Sequence, residues 1–255
     1  MRATTATTAT TATHIAPAAP AIRVVVAALR LAAAALVVVA IVVQLQRSLE
    51  VWSAQGAPDI PTKLVNFFSF FTIQSNVIAA VALAIGGVLL LRSGASDPRW
   101  FAVLRVCATT YIATTGVVFN LLLRGFELPQ GATVIWTSEV MHVVIPILVV
   151  LDWLFAPGRR RLGFGVIGTV VIYPVVWAVY TMVRGPFVTD AVTGATSWYP
   201  YPFLNPDTSP NGYLSVAFYV VLIAVLIGAV GAGAIAVSRT GRAGRAAASD
   251  AASAG

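Results

Sequence analysis

Residues 63–91 read KLVNFFSFFTIQSNVIAAVALAIGGVLLL, an aromatic stretch rich in hydroxyls and amides that passes without a break into an apolar one. A helix needs about 20 predominantly apolar residues to cross a bilayer, and the run from Leu64 to Leu91 exceeds that length. One transmembrane helix is therefore expected there, with Ser69, Thr72, Gln74, Ser75 and Asn76 carried to membrane depth. Five further runs have the same character: Val24 to Leu45, Trp100 to Leu123, Thr133 to Phe155, Leu162 to Val183 and Tyr213 to Val237. Of the 255 residues 58% are hydrophobic and only 10% charged, where a soluble domain carries roughly a quarter charged residues. A water-soluble single core is not expected, and the expected fold is an all-α integral membrane protein. It is a six-helix bundle over residues 22–238, multi-pass in the cell membrane.

The flanks have a different composition. Residues 1–21 open with MRATTATTATTAT, which lacks the basic-then-apolar order of a secretory signal and reads as a disordered Ala/Thr tail. Residues 239–255 read as a second disordered tail, basic and rich in Ala. The single cysteine, Cys107, excludes an intramolecular disulfide, and no Cys/His cluster has metal-ligand spacing. Neither a metal nor another cofactor is expected.

The net charge of +7 is spread over the loops, which speaks for membrane topology and against a nucleic-acid partner. Alternate connections hold Arg2, Arg23, Arg92, Arg99, Arg159, Arg160, Arg161, Arg239, Arg242 and Arg245, while the other side holds Arg47, Lys63, Arg124 and Arg184. Ten basic residues against four predict that both termini are cytoplasmic. Arg30 and Arg105 are expected to snorkel to the cytoplasmic boundary, and Asp152 to pair with Arg159 to Arg161.

In this topology the second and fourth helices enter from the same outer side. Thr72 lies eight residues past Leu64 and His142 nine past Thr133, so both sit about 12 to 14 Å below the outer boundary. Helical spacing puts Ser69, Thr72, Asn76 and Ala79 on one stripe, and Ser138, Glu139, His142 and Pro146 on another. Polar side chains at such depth turn toward protein or a wet cavity. Each has a plain structural reading too: Thr72 bonding back to its own helix, Ser69 and Asn76 acting as interhelical glue, His142 as a satisfied packing residue. Read chemically, His142 is the base that takes a proton from a nucleophilic Thr72. Glu139 would orient the imidazole, and Asn76 or backbone groups would hold an oxyanion. Thr114, Thr115 and Ser138 lie at similar depth, and spacing does not choose among these hydroxyls.

The connection from Arg184 to Gly212 is long and dense in Pro and aromatic residues, a length that structureless loops seldom reach without function. Its Trp198, Tyr199, Tyr201 and Phe203 either line the headgroup belt or cap the mouth of a cavity holding Thr72 and His142.

Three short motifs carry a resemblance: Phe70-Phe71-Thr72-Ile73, Met141-His142 within SEVMHVVIP, and Tyr201-Pro202-Phe203-Leu204 preceded by Tyr173-Pro174-Val175-Val176-Trp177. In order and helix placement the chain resembles the androgen-induced protein family, which includes the androgen-dependent TFPI-regulating protein, and its bacterial six-helix relatives. The animal members are transmembrane threonine hydrolases of fatty acid esters of hydroxy fatty acids. The resemblance implies Thr72 as nucleophile and His142 as catalytic histidine. Trp198, Tyr201 and Phe203, read from the loop itself, are the expected substrate-loop residues. The polar run Gln74-Ser75-Asn76 and the tails depart from the animal pattern. The expected function is hydrolysis of a lipid carboxylic ester within the membrane. The alternative is a non-catalytic transporter or lipid-binding protein that uses Glu139 and His142 as polar or proton-relay groups. A structural six-helix partner is a third reading, and the oligomeric state is left open.

Overall fold

The computed structural model describes residues 19–56, 59–92, 96–125, 133–190 and 194–240, and no strand occurs among them. Six helices among these residues are long and apolar enough to cross a membrane: Pro20–Ala54, Phe71–Arg92, Arg99–Leu123, Ile135–Phe155, Phe164–Phe187 and Tyr213–Thr240. The segments read as tails lie outside the described residues except for 19–21 and 239–240, most of which belong to the first and last helices.

The elements are α1 (Pro20–Ala54), α2 (Ile60–Ser69), α3 (Phe71–Arg92), α4 (Arg99–Val118), α5 (Ile135–Glu139), α6 (Ile145–Phe155), α7 (Ile167–Arg184) and α8 (Tyr213–Thr240). A π-helical turn, Phe119–Leu123, extends α4, and a second, Val140–Val144, joins α5 to α6. The bundle is built around α4, which packs on α3, α6, α7 and α8. Against the other face of α3 lies α1, along a seam of small residues. Ala27, Ala33, Ala34 and Ala40 on α1 and Ala79, Ala80, Gly86 and Gly87 on α3 are buried there. Small side chains let helix backbones approach where lipid offers no hydrophobic driving force of its own.

The expected helix from Leu64 to Leu91 is two helices. Phe70, with φ −64° and ψ 128°, is extended and breaks the run. The break survives because the orphaned carbonyls at the end of α2 find side-chain donors. Gln74 Nε2 donates to Phe68 O at 2.8 Å, and Trp177 Nε1 donates to Ser69 O at 2.9 Å. At its other end α2 is capped by Asp59, whose Oδ1 accepts the Thr62 N–H at 3.1 Å. That hydrogen bond holds the Asp59 carboxyl below its ordinary range.

Two expectations about charge are also corrected. Arg30 and Arg105 do not reach a boundary; both are buried, and they share Asp152. Arg30 Nε lies 2.7 Å from Asp152 Oδ1, Arg105 Nη2 lies 2.8 Å from Asp152 Oδ2, and Arg105 Nη1 lies 2.8 Å from Asp97 Oδ2. Asp152 therefore pairs with Arg30 and Arg105 instead of Arg159 to Arg161, and Arg159 donates to the carbonyls of Trp153 and Leu154. Two guanidiniums beside two carboxylates make a neutral cluster in which every charge has a partner, the condition for ions to stay out of water.

Candidate functional site

The helix break decides what Thr72 does. A transmembrane threonine ordinarily donates to the carbonyl four residues earlier. Here that carbonyl, of Phe68, belongs to α2 and is occupied by Gln74. Thr72 Oγ1 turns instead to two other groups, His142 Nε2 at 3.2 Å and the Tyr201 hydroxyl at 3.2 Å. Its backbone N–H sits in the first turn of α3, where no helical acceptor is available. That N–H donates to the Tyr201 hydroxyl at 3.1 Å.

His142 lies in the second π-turn. Such a turn moves backbone N–H groups from the carbonyl four residues back to the one five back, and it recurs at functional sites. The Ser138 carbonyl accepts from His142 Nδ1 at 2.8 Å. Because a carbonyl can only accept, Nδ1 carries the proton and Nε2, facing Thr72, presents a lone pair. Pro146 has no N–H to donate, so the carbonyls one turn earlier need other donors. Asn76 Nδ2 supplies Met141 O at 3.2 Å and Asn120 Nδ2 supplies His142 O at 3.2 Å. The imidazole is stacked on Phe119, with ring centroids 3.6 Å apart and planes 13° apart. Its orientation is thus set by a carbonyl on one edge and a ring on its face.

The polar run after Thr72 is scaffold. Ser75 Oγ donates to Thr72 O at 3.1 Å and pairs with Thr115 Oγ1 at 2.9 Å, joining α3 to α4. Asn76 Nδ2 also donates to Thr72 O, at 2.9 Å, so both its hydrogens are committed to carbonyls and none is left for an oxyanion. Ser69 bonds to Val65 O and to the Tyr180 hydroxyl, one turn away from the pair. Glu139 is not against the imidazole by hydrogen bond. Its carboxylate forms a two-pronged pair with Arg124, at 2.8 and 3.1 Å, on an exposed face. The π-turn is the reason, since it takes the residues before and after it out of the simple 3.6-residue register. Arg124 itself lies over the ring of Phe119, 5.5 Å from its centroid.

Among the competing hydroxyls, Ser138 Oγ lies 3.2 Å from Nδ1, the nitrogen that already bears the proton. Thr115 is bonded to Ser75, and Thr114 Oγ1 is buried without a hydrogen-bond partner. Of these hydroxyls, only that of Thr72 reaches the free lone pair of His142.

The described residues of the Arg184 to Gly212 connection, 194–212 above all, fold inward. Trp198, Tyr199 and Tyr201 are buried, so they do not form a headgroup belt. Trp198 and Tyr201 meet Phe70 edge to face, with centroids 5.7 and 5.5 Å away, and Phe203 stacks on Tyr201 at 5.3 Å. Gly185 lets the backbone pass directly against the Tyr199 ring, where any Cβ would collide. The break at Phe70 is in this way clamped by aromatic rings of the loop, each edge-to-face contact contributing about 0.5 to 1.5 kcal/mol.

From Thr72 a cavity of about 120 Å³ extends between α4, α7 and α8. Val118, Val171, Ile223 and Ile227 are among its walls, and Thr72, Thr114, Thr115 and Tyr201 contribute the hydroxyls. Val175 on α7 and Ala224 on α8 belong to the wall and are exposed, so the cavity approaches the flank of the bundle at the α7–α8 seam. His142 stands behind Thr72 and Phe119, which do line it. An apolar space of this order is large enough for a ring or several methylenes.

Sequence reading did not single out Phe119, Asn120 or the Ser138 carbonyl. Asn120 carried a visible signal, a carboxamide near the end of an apolar run, whereas no side-chain pattern announces a π-turn or a stacked phenylalanine. The chain matches no family model, no curated protein and no solved structure.

Proposed function

We propose that the protein is an integral membrane hydrolase of lipid carboxylic esters, with its six apolar helices spanning the bilayer and both termini cytoplasmic. The observation that carries this reading is the 3.2 Å contact between Thr72 Oγ1 and the unprotonated Nε2 of His142 at the wall of an apolar cavity. A hydroxyl is a weak nucleophile unless an adjacent base takes its proton. The cavity suits a hydrocarbon chain, and its approach to the α7–α8 seam suits a ligand arriving from the side. The resemblance to threonine hydrolases of fatty acid esters of hydroxy fatty acids supports the same pair.

In the reaction Thr72 Oγ1 bonds to the ester carbonyl carbon as its proton passes to His142 Nε2, and the carbonyl π pair moves onto oxygen. When the C=O re-forms, the bond to the alcohol oxygen breaks and His142 protonates the departing alcohol. The acyl-threonine is then attacked by water, whose proton goes to His142 while the hydroxyl becomes part of the acid. When the resulting intermediate collapses, the bond between the acyl carbon and Thr72 Oγ1 breaks and the imidazole returns its proton to Oγ1, freeing the acid. Throughout, the Ser138 carbonyl keeps Nδ1 protonated and steadies the imidazolium.

The transporter alternative asks Glu139 and His142 to act together. Glu139 is paired with Arg124 on an exposed face, so the geometry favours the hydrolase. The test is hydrolysis of a panel of long-chain esters by purified protein in nanodiscs. Thr72→Ala is expected to abolish turnover and His142→Ala to lower it about 10² to 10⁴-fold, with both variants folded. A trapped acyl group mapped by mass spectrometry to the Thr72 peptide supports the mechanism; wild-type turnover in Thr72→Ala refutes it.

A further inference from the structure

We infer that Tyr201 is a catalytic residue whose hydroxyl holds the oxyanion of the tetrahedral intermediate, polarised from behind by the backbone N–H of Thr72. The inference rests on the ester hydrolase reading and adds a group whose chemistry that reading leaves open. Three hydrogen bonds define the resting arrangement. Thr72 N–H donates to the Tyr201 oxygen at 3.1 Å, and Thr72 Oγ1 lies 3.2 Å from that oxygen and 3.2 Å from His142 Nε2. Nε2 has only a lone pair to offer, because Nδ1 holds the ring proton against Ser138 O. The Thr72 hydroxyl proton therefore points to Nε2, and the phenol proton is the one shared between Tyr201 and Thr72 Oγ1. No other assignment satisfies all three contacts.

This arrangement changes in one way when Oγ1 attacks. Its lone pair enters the new bond to carbon, and it becomes a poor acceptor. The negative charge appears on the neighbouring oxygen of the same carbon. Rotation about the phenolic C–O bond turns the Tyr201 proton from Oγ1 to that oxyanion without moving the ring. No proton is transferred by Tyr201: the proton of Oγ1 goes to His142, and the phenol remains a phenol that donates a hydrogen bond. The donor is unused for charge in the ground state and engaged only in the transition state, which is the condition for accelerating the chemical step.

The surroundings fit this role. Tyr201 is 5% exposed and its ring is fixed between Phe203, stacked at 5.3 Å, and Phe70, edge-on at 5.5 Å, so the phenol oxygen stays in place and only its proton turns. Burial raises the phenol above the ordinary tyrosine range and keeps it protonated. Thr72 N–H belongs to the first turn of α3, where the helix dipole presents its positive end. Its bond to the phenol oxygen pulls electron density from the O–H and strengthens the donor. Asn76, a second donor beside Thr72, is spent on Thr72 O and Met141 O.

The test is Tyr201→Phe, which deletes only the hydroxyl and leaves the aromatic packing, with kcat and KM measured on a long-chain 4-nitrophenyl ester. Two probes accompany it: a long-chain fluorophosphonate, whose reaction passes through a charged transition state, and the corresponding long-chain ether, which fills the cavity but has no carbonyl. The expected result is a fall of about 10² to 10³ in kcat and in the rate of fluorophosphonate labelling. KM and the inhibition constant of the ether should change by less than about threefold. Replacing Tyr201 with a more acidic fluorotyrosine should raise kcat, because the donor is strengthened. Wild-type kcat in Tyr201→Phe overturns the assignment while leaving the Thr72–His142 reading intact. Ether affinity that falls in step with kcat also overturns it, since the residue is then structural. Ester hydrolysis absent from the wild type removes the hydrolase reading and this one together, and hydrolysis undiminished in Thr72→Ala removes the threonine mechanism on which this one rests.

Discussion

Two hydroxyls one helix apart differ in what they reach. Thr72 and Thr114 both line the cavity, but Thr72 Oγ1 has two partners and Thr114 Oγ1 none. A buried hydroxyl without a partner costs about 1 to 3 kcal/mol. Thr114→Val, which exchanges that hydroxyl for a methyl of similar shape, should keep ester turnover and leave the melting temperature in detergent equal or higher. A loss of turnover would move the nucleophile away from Thr72. For Glu139→Gln the expected change in rate is less than about fivefold, because its pair with Arg124 is exposed and screened by water. A kinetic titration of that variant against wild type decides whether the carboxylate matters to the imidazole.

Among the elements, the close crossing of α4 and the His142 turn is the most sensitive. A Cβ on Gly116 would lie 2.9 Å from Pro146 Cβ and 3.3 Å from His142 O, closer than packed atoms tolerate. Gly116→Ala should therefore push the π-turn away from α4. The expected destabilisation is about 1 to 3 kcal/mol, the usual range for overpacking. Turnover should fall more than about tenfold, because His142 would be displaced from Thr72 while both side chains remain. Unfolding in detergent followed by tryptophan fluorescence, together with kcat, checks both effects. Elsewhere α1 helps to place α5: Gln44 Oε1 accepts from Val134 N at 3.0 Å and from Thr137 Oγ1 at 2.9 Å. The fourth apolar helix thus begins on a carboxamide supplied by the first.

At the scale of the whole molecule, the Thr72–His142 pair and the charge cluster are held near opposite ends of α3, α4 and the α5–α6 helix. Asp152 joins Arg30 of α1 to Arg105 of α4, and Arg105 joins it to Asp97 ahead of α4. Removing one partner of a buried ion pair leaves an uncompensated charge and costs about 3 to 5 kcal/mol. Asp152→Asn should lower the melting temperature well below that of Glu139→Gln, measured side by side in one detergent. Equal melting temperatures would mean that water reaches the cluster. Topology has its own check: reporter fusions after Thr240 should report cytoplasm if the ten-to-four distribution of basic residues sets the orientation.

The sequence by itself determined the class of fold, because apolar length is additive along the chain: six runs of sufficient length exist whatever their packing. Helical rise also set Thr72 and His142 at comparable expected depth, and the two side chains do meet at 3.2 Å, although the first of the two expected helices is broken at Phe70. The sequence did not determine that α2 and α3 are separate helices. The carbonyls of Phe68 and Ser69 could be released from one continuous helix only because Gln74 and Trp177 supply replacement donors, and Trp177 is 108 residues away from Ser69. The tautomer of His142, the diversion of Glu139 to Arg124 and the burial of Arg30 with Asp152 were likewise decided by tertiary structure. Each depends on which acceptor or charge a neighbouring helix brings within about 3 Å, and hydrogen bonds and ion pairs of that range carry no trace in the spacing of residues along one helix.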